Sequence, residues 1–130
     1  MTAGYSGTPL PRKLGVRPES RVLVDGGPDG FTLDGTELHR RPGRAPYDVI
    51  LLFAPDRARL TQRWESLAPR LTTAGRLWVC WPKRTSSLQT DLSENDVRAH
   101  GLAQGLVDVK VCAIDETWSG LAFVRRLSDR

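Results

Sequence analysis

Residues that commonly carry catalysis are scarce in this sequence. Histidine occurs twice, cysteine twice and methionine once in 130 residues, and aromatic side chains make up 7%. His39 and His100 stand too far apart in the chain to suggest a shared metal, and neither lies beside a cysteine. Cys80 and Cys112 both fall inside apolar, strand-like runs, LWVCW and VKVCAI. That pattern excludes a zinc-type ligand set and reads as two buried free thiols. No apolar run approaches the ~18 residues that a membrane span needs. The segment MTAGYSGTPLPRK lacks the apolar core of an export signal, so the expectation is a cytoplasmic protein with no membrane partner. Ser86 and Ser87 lack the G-x-S-x-G setting of a nucleophile elbow, which argues against hydrolase chemistry.

What is present is ordinary globular material. Hydrophobic residues make up 39% and charged residues 26%, enough for one core and one domain but not for a separate substrate domain. The formal net charge is +4, carried mostly by arginines scattered from Arg12 to Arg130. Scattered charge reads as a solvated basic surface. One local cluster, His39, Arg40, Arg41 and Arg44, could meet nucleic acid, but it is short and has no interleaved aromatics.

Periodicity and punctuation give the element order. TPLPRKLG reads as a short helix, with Thr8 as N-cap, Leu10 and Leu14 on one face and Gly15 at the end. RVLVD (21–25) is an apolar run suited to a strand buried on both faces. DGGPDG breaks it, and ELHRR (37–41) suggests a short edge strand. YDVILLFA (47–54) reads as the central strand. Asp56 caps a helix whose stripe is Leu60, Trp64, Leu67 and Leu71, with Pro69 set to kink or end it. A buried strand spans 76–81. Ser93 and Asp96 open a second helix that Gly105 can end. VDVKVCAI (107–114) and GLAFVRR (120–126) are joined by the short link DETWS, so they form an antiparallel hairpin. Right-handed crossovers put the two longer helices on one face of the sheet. Trp78 and Trp81 have opposite parity in one strand, so both faces need cover. The short helix, with Tyr5, Leu10 and Leu14, is the available lid for the second face. Any apolar area it leaves bare would be an interface.

Three stretches carry a resemblance. VLVDGGPDG looks like the first motif of the class I S-adenosylmethionine-dependent methyltransferases, a strand ending in an acid before glycines. YDVILLFAPD sits where their fourth strand carries its loop, and LTTAGRLWVCWPK resembles their turn into the fifth strand. YSGTPLPRKLG, LWVCWPK and GLVDVKVCAIDETWSGLAFVRRL also resemble an uncharacterised bacterial domain family with no established activity. The resemblance implies an α/β, three-layer, Rossmann-like (methyltransferase-like) domain over residues 1–130, its mostly parallel sheet ending in an antiparallel hairpin. The first crossover is reduced: only about eleven residues separate Asp25 from Glu37, room for one or two helical turns.

That resemblance implies S-adenosylmethionine as ligand, and three details oppose it. Asp29 and Phe31 stand where the motif wants glycines, bringing charge and bulk to the place of closest backbone approach. The edge strand ends in basic residues rather than the acid that holds ribose hydroxyls. The crossover lacks the helix that walls the pocket. In favour, ligands of open parallel sheets bind outside the carboxyl ends of the strands. The candidate ligand-binding groups there are Asp25, Gly26, Gly27, Asp29, Gly30, Asp56, Lys83, Thr85 and Ser86. A second candidate is the hairpin loop, where Asp115 and Glu116 stand beside Trp118, a carboxylate pair with an aromatic platform. No residue is assigned a catalytic role and no metal or resident cofactor is expected. The leading expectation is a non-catalytic module with an interaction or regulatory role, meeting a protein partner or a second copy of itself. The alternative is a protein or minimal enzyme that takes a small anion, nucleotide or S-adenosylmethionine at the strand-end loops. Nucleic-acid binding ranks last.

Overall fold

The computed structural model describes residues 7–130, so Tyr5 of the expected lid lies outside the described residues. Three helices and six strands follow one another: α1 (Leu10–Leu14), β1 (Val22–Asp25), β2 (Leu38–His39), β3 (Tyr47–Phe53), α2 (Arg57–Leu67), β4 (Leu71–Pro82), α3 (Glu94–Ala103), β5 (Leu106–Ala113) and β6 (Trp118–Arg125). They form one mixed sheet in the order β2-β1-β3-β4-β6-β5. The first four strands in that order are parallel, and β6 pairs antiparallel with both β4 and β5. The parity of β4 divides the core as the sequence requires. Trp81 joins Ile50, Leu52, Leu60, Trp64 and Val97 under α2 and α3. Trp78 joins Leu14, Val24, Leu51 and Phe53 on the opposite face, under α1.

Each helix is held at its start or its end by local chemistry. Asp56 accepts from the Arg59 amide at 2.9 Å, as an N-cap should. Ser93 and Asp96 form a reciprocal capping box on α3. Gly15 closes α1 with φ +81°, a left-handed turn that glycine adopts without strain. Five residues are far too few for a helix to stand alone. Tertiary contact holds α1 instead: the Trp78 indole Nε1–H donates to the Leu14 carbonyl at 2.9 Å, and Leu14 is fully buried.

The structure departs from the sequence expectations in four places. Pro9, not Thr8, occupies the N-cap position of α1, which has no side-chain cap bond. Leu71 is not the last rung of the α2 stripe. Pro69 lies in a 3-10 turn that ends the helix, and Leu71 opens β4, still buried against the α2 side of the core. β4 therefore begins earlier than residue 76 and carries an irregularity, since Tyr47 registers with Leu71 but Val49 with Arg76. Gly75 permits that excursion: a Cβ there would lie 3.0 Å from the Tyr47 carbonyl and 3.1 Å from that of Asp48. Finally, the β1–β2 connection contains no helical turn. It folds as turns that lay Phe31 and Leu33 on the α1 side of the sheet, so the reduced crossover is cover rather than a pocket wall.

Candidate functional site

The parallel register brings the candidate loops to one edge of the sheet. Asp25 aligns with Leu52, and Phe53 with Cys80, so β1, β3 and β4 end at similar height. Pro82 lies opposite Trp118 in the antiparallel pair, so the β5–β6 turn arrives at the same edge. The Lys83 amide ties the two together by donating to the Thr117 carbonyl at 2.8 Å. The loops around Gly26–Gly30, Asp56, Lys83–Ser86 and Asp115–Trp118 are thus neighbours along one rim.

At its centre the rim is closed by the chain's own side chains. Arg63 donates to both oxygens of Asp25, at 3.0 and 3.4 Å, and Arg59 adds a third contact at 3.4 Å. Both arginines project from α2, four residues apart, which places them on one helical face. The Arg59 guanidinium also lies against Gly26, where an added Cβ would stand 2.8 Å from its Nη2. Gly26 has φ +72° and turns the chain sharply, but the ground beside it is occupied. A Cβ on Gly27 would strike Val24 Cγ1 at 2.8 Å, so that glycine serves close packing. Phe31 stacks edge-on against Phe53 at 5.2 Å, and Phe53 against Trp118 at 5.1 Å. This aromatic row fills the α1 side of the rim. Arg40 anchors the same loop by donating to the Phe31 carbonyl.

The remaining candidates divide clearly. Asp56 is spent on its cap, and the neighbouring Asp91 accepts from the Arg57 amide at 2.8 Å. Asp115 Oδ1 accepts from the Thr117 and Trp118 amides, both at 2.8 Å, so it shapes the hairpin turn. Glu116 is exposed, and Trp118 is buried against Phe53 as the first residue of β6 rather than a loop platform. The Ser86 hydroxyl donates to the Lys83 carbonyl at 2.8 Å. Asp29 and Gly30 are exposed at the tip of their turn, and Thr85 is exposed. The Lys83 ammonium has no polar partner among the described residues. It borders two open clefts of about 540 and 600 Å³ that flank the start of α3. The capping box already fills the α3 start: bonds from the Ser93 hydroxyl and amide, aided by Arg57, hold the Asp96 carboxyl below its ordinary range.

The basic cluster at β2 is partly engaged in folding. His39 Nδ1 bonds the Tyr47 hydroxyl at 2.9 Å, while Arg41 and Arg44 are exposed. Burial pushes the Cys80 thiol well up, with Cys112 and Asp115 adding to it, and burial raises Cys112 also. Neither thiol is poised as a nucleophile. Among the described residues no group of three His, Cys, Asp or Glu could hold a metal, and no helix is long and apolar enough to cross a membrane. Sequence reasoning flagged Phe31 as bulk at this rim but missed Arg59 and Arg63 as the groups that decide it. The i, i+4 spacing of the arginines was readable, but the carboxylate beneath them was not. The residues present do not fit S-adenosylmethionine at Asp25 and Gly26, because arginine contacts already occupy both. No family model matches the chain, and no curated protein matches it.

Proposed function

We propose that this chain is a non-catalytic, methyltransferase-like Rossmann module with an interaction or regulatory role. The observation that carries the reading is the Asp25 clamp: two arginines and an aromatic row occupy the ground where a cofactor of this fold class would lie. The strand order, with its terminal antiparallel hairpin, supports the fold-class relation. What the surface offers to a protein partner is the β5 border, where Val109 and Val111 are about half exposed. The register shift at Val109 and the neighbouring Lys110 disfavour simple strand addition, so contact through side chains suits this border better.

Thermal unfolding with S-adenosylmethionine and its demethylated product tests the reading. The expected result is no shift with either. A saturable rise, about 2.7 kcal/mol at a hundredfold excess over Kd, overturns it. A second reading keeps the strand-end loops as a small-anion site, favoured by the unpartnered Lys83 beside its two clefts. Binding of inorganic phosphate that is lost on Lys83→Gln would establish that reading.

A further inference from the structure

At the opposite end of the sheet, α1 runs out before the β strands do. Below Gly15 the α1 side of the sheet is left as a cleft of about 610 Å³, with Val16 and Val49 in its lining. Three arginines reach it from separate parts of the chain: Arg12 from α1, Arg17 from the turn after it, and Arg76 from β4. None of the three guanidinium groups has a hydrogen-bond or ion-pair partner among the described residues. Arg76 matters most, because it is half-buried in the sheet face and its stem packs along Gly15, at 3.6 Å from a Cβ placed there. The five N–H donors of that guanidinium remain open to a ligand or to water.

Two carboxylates share the cleft and differ in availability. Asp48 already accepts from the Arg21 amide at 2.7 Å and lies 3.5 Å from the Thr72 hydroxyl. Glu19 is exposed and has no partner among the described residues. The cleft is therefore lined by three cationic forks, one exposed carboxylate and the apolar side chains of Val16 and Val49. Planar forks suit phosphate oxygens, which take two parallel N–H bonds from each. A free carboxylate suits hydroxyl donors.

We propose that this cleft is a binding site for a small phosphate-bearing, hydroxyl-bearing molecule, of the sugar-phosphate class. Arg12, Arg17 and Arg76 hold the phosphate, and Glu19 receives a hydroxyl. The site lies away from the strand-end rim and is independent of the function proposed above. It also changes the meaning of the uncovered sheet face, which carries arginines where a protein-docking patch would be apolar.

Calorimetric titration with ribose 5-phosphate, pyrophosphate and ribose tests the proposal. Both phosphates are expected to bind saturably and ribose not at all. Arg76→Gln, and separately the exposed pair Arg12→Gln with Arg17→Gln, should weaken binding on the order of tenfold or more, the loss of at least one charge-assisted bond. The paired arginine variant guards against a folding defect at Arg76. Glu19→Gln should weaken ribose 5-phosphate and leave pyrophosphate unchanged. Arg41→Gln with Arg44→Gln, an equal change of charge elsewhere, should alter neither. Absence of saturable binding overturns the proposal. So does binding that survives the arginine variants, and if that binding is lost on Lys83→Gln it belongs to the strand-end loops instead.

Discussion

Asp25 shows how a residue's partners redefine its role. A carboxylate at the end of a buried strand, followed by glycines, has the form of a cofactor ligand, yet three guanidinium contacts consume it. Its side chain is only 16% exposed, so the pairing is shielded enough to matter for stability. Asp25→Ala is expected to leave Arg59 and Arg63 without their shared acceptor and to cost about 1–3 kcal/mol, measured by urea unfolding. A loss within experimental error would mean that the clamp is ornamental and that the rim is free to open. At the same scale, Gly26 and Gly27 differ from each other: one makes a left-handed turn, the other only makes room for Val24.

Between elements, α2 and α3 meet over β6 through aromatic contacts. Trp64 of α2 stacks edge-on against His100 of α3 at 5.1 Å and against Phe123 of β6 at 5.3 Å. Gly101 brings α3 down onto Phe123, where a Cβ would overlap the ring at 2.0 Å. His100 Nε2 is buried there without a partner among the described residues. Burial, with a smaller contribution from Arg57, holds the imidazole below its ordinary value, so the folded protein keeps it neutral. As pH falls below the ordinary imidazole value of about 6.5, the unfolded chain binds a proton that the folded one resists. The contribution of His100 to stability must therefore fall as pH drops through that window and stay level above it. Between about pH 7.5 and about pH 5.5, the wild-type protein is expected to lose more stability than His100→Leu, measured by denaturant unfolding at each pH. Equal losses would remove His100 from the account.

For the whole molecule, the two faces of the sheet are covered by unequal means. One face carries two full helices; the other carries five helical residues, the turns of the β1–β2 connection and a hydrogen bond from Trp78. The second face should be the weaker one. Trp78→Phe is expected to leave the Leu14 carbonyl buried and unpaired, at a cost of about 1–3 kcal/mol. It should also speed amide exchange around residues 10–16 while the central strands keep their protection. Uniform loss of protection across the sheet would show that α1 and the core unfold as one unit.

The sequence alone determined the element order, the Leu60, Trp64 and Leu67 stripe of α2, the capping box of α3, the antiparallel hairpin and the opposite facing of Trp78 and Trp81. Each is a short-range property of periodicity, parity or link length, and needs no knowledge of distant residues. It also located the rim where Asp25, Asp56 and Lys83 gather, because parallel strands end together, while the arrival of the Asp115 loop at the same edge came from the structure. Only the tertiary structure decided what those residues are free to do. Whether Asp25 can hold a ligand depends on Arg59 and Arg63, more than thirty residues away in sequence. Whether Arg12, Arg17 and Arg76 make one site depends on where a five-residue helix stops above the sheet. A charged group is spoken for only by the three-dimensional company it keeps, and sequence spacing does not record that company.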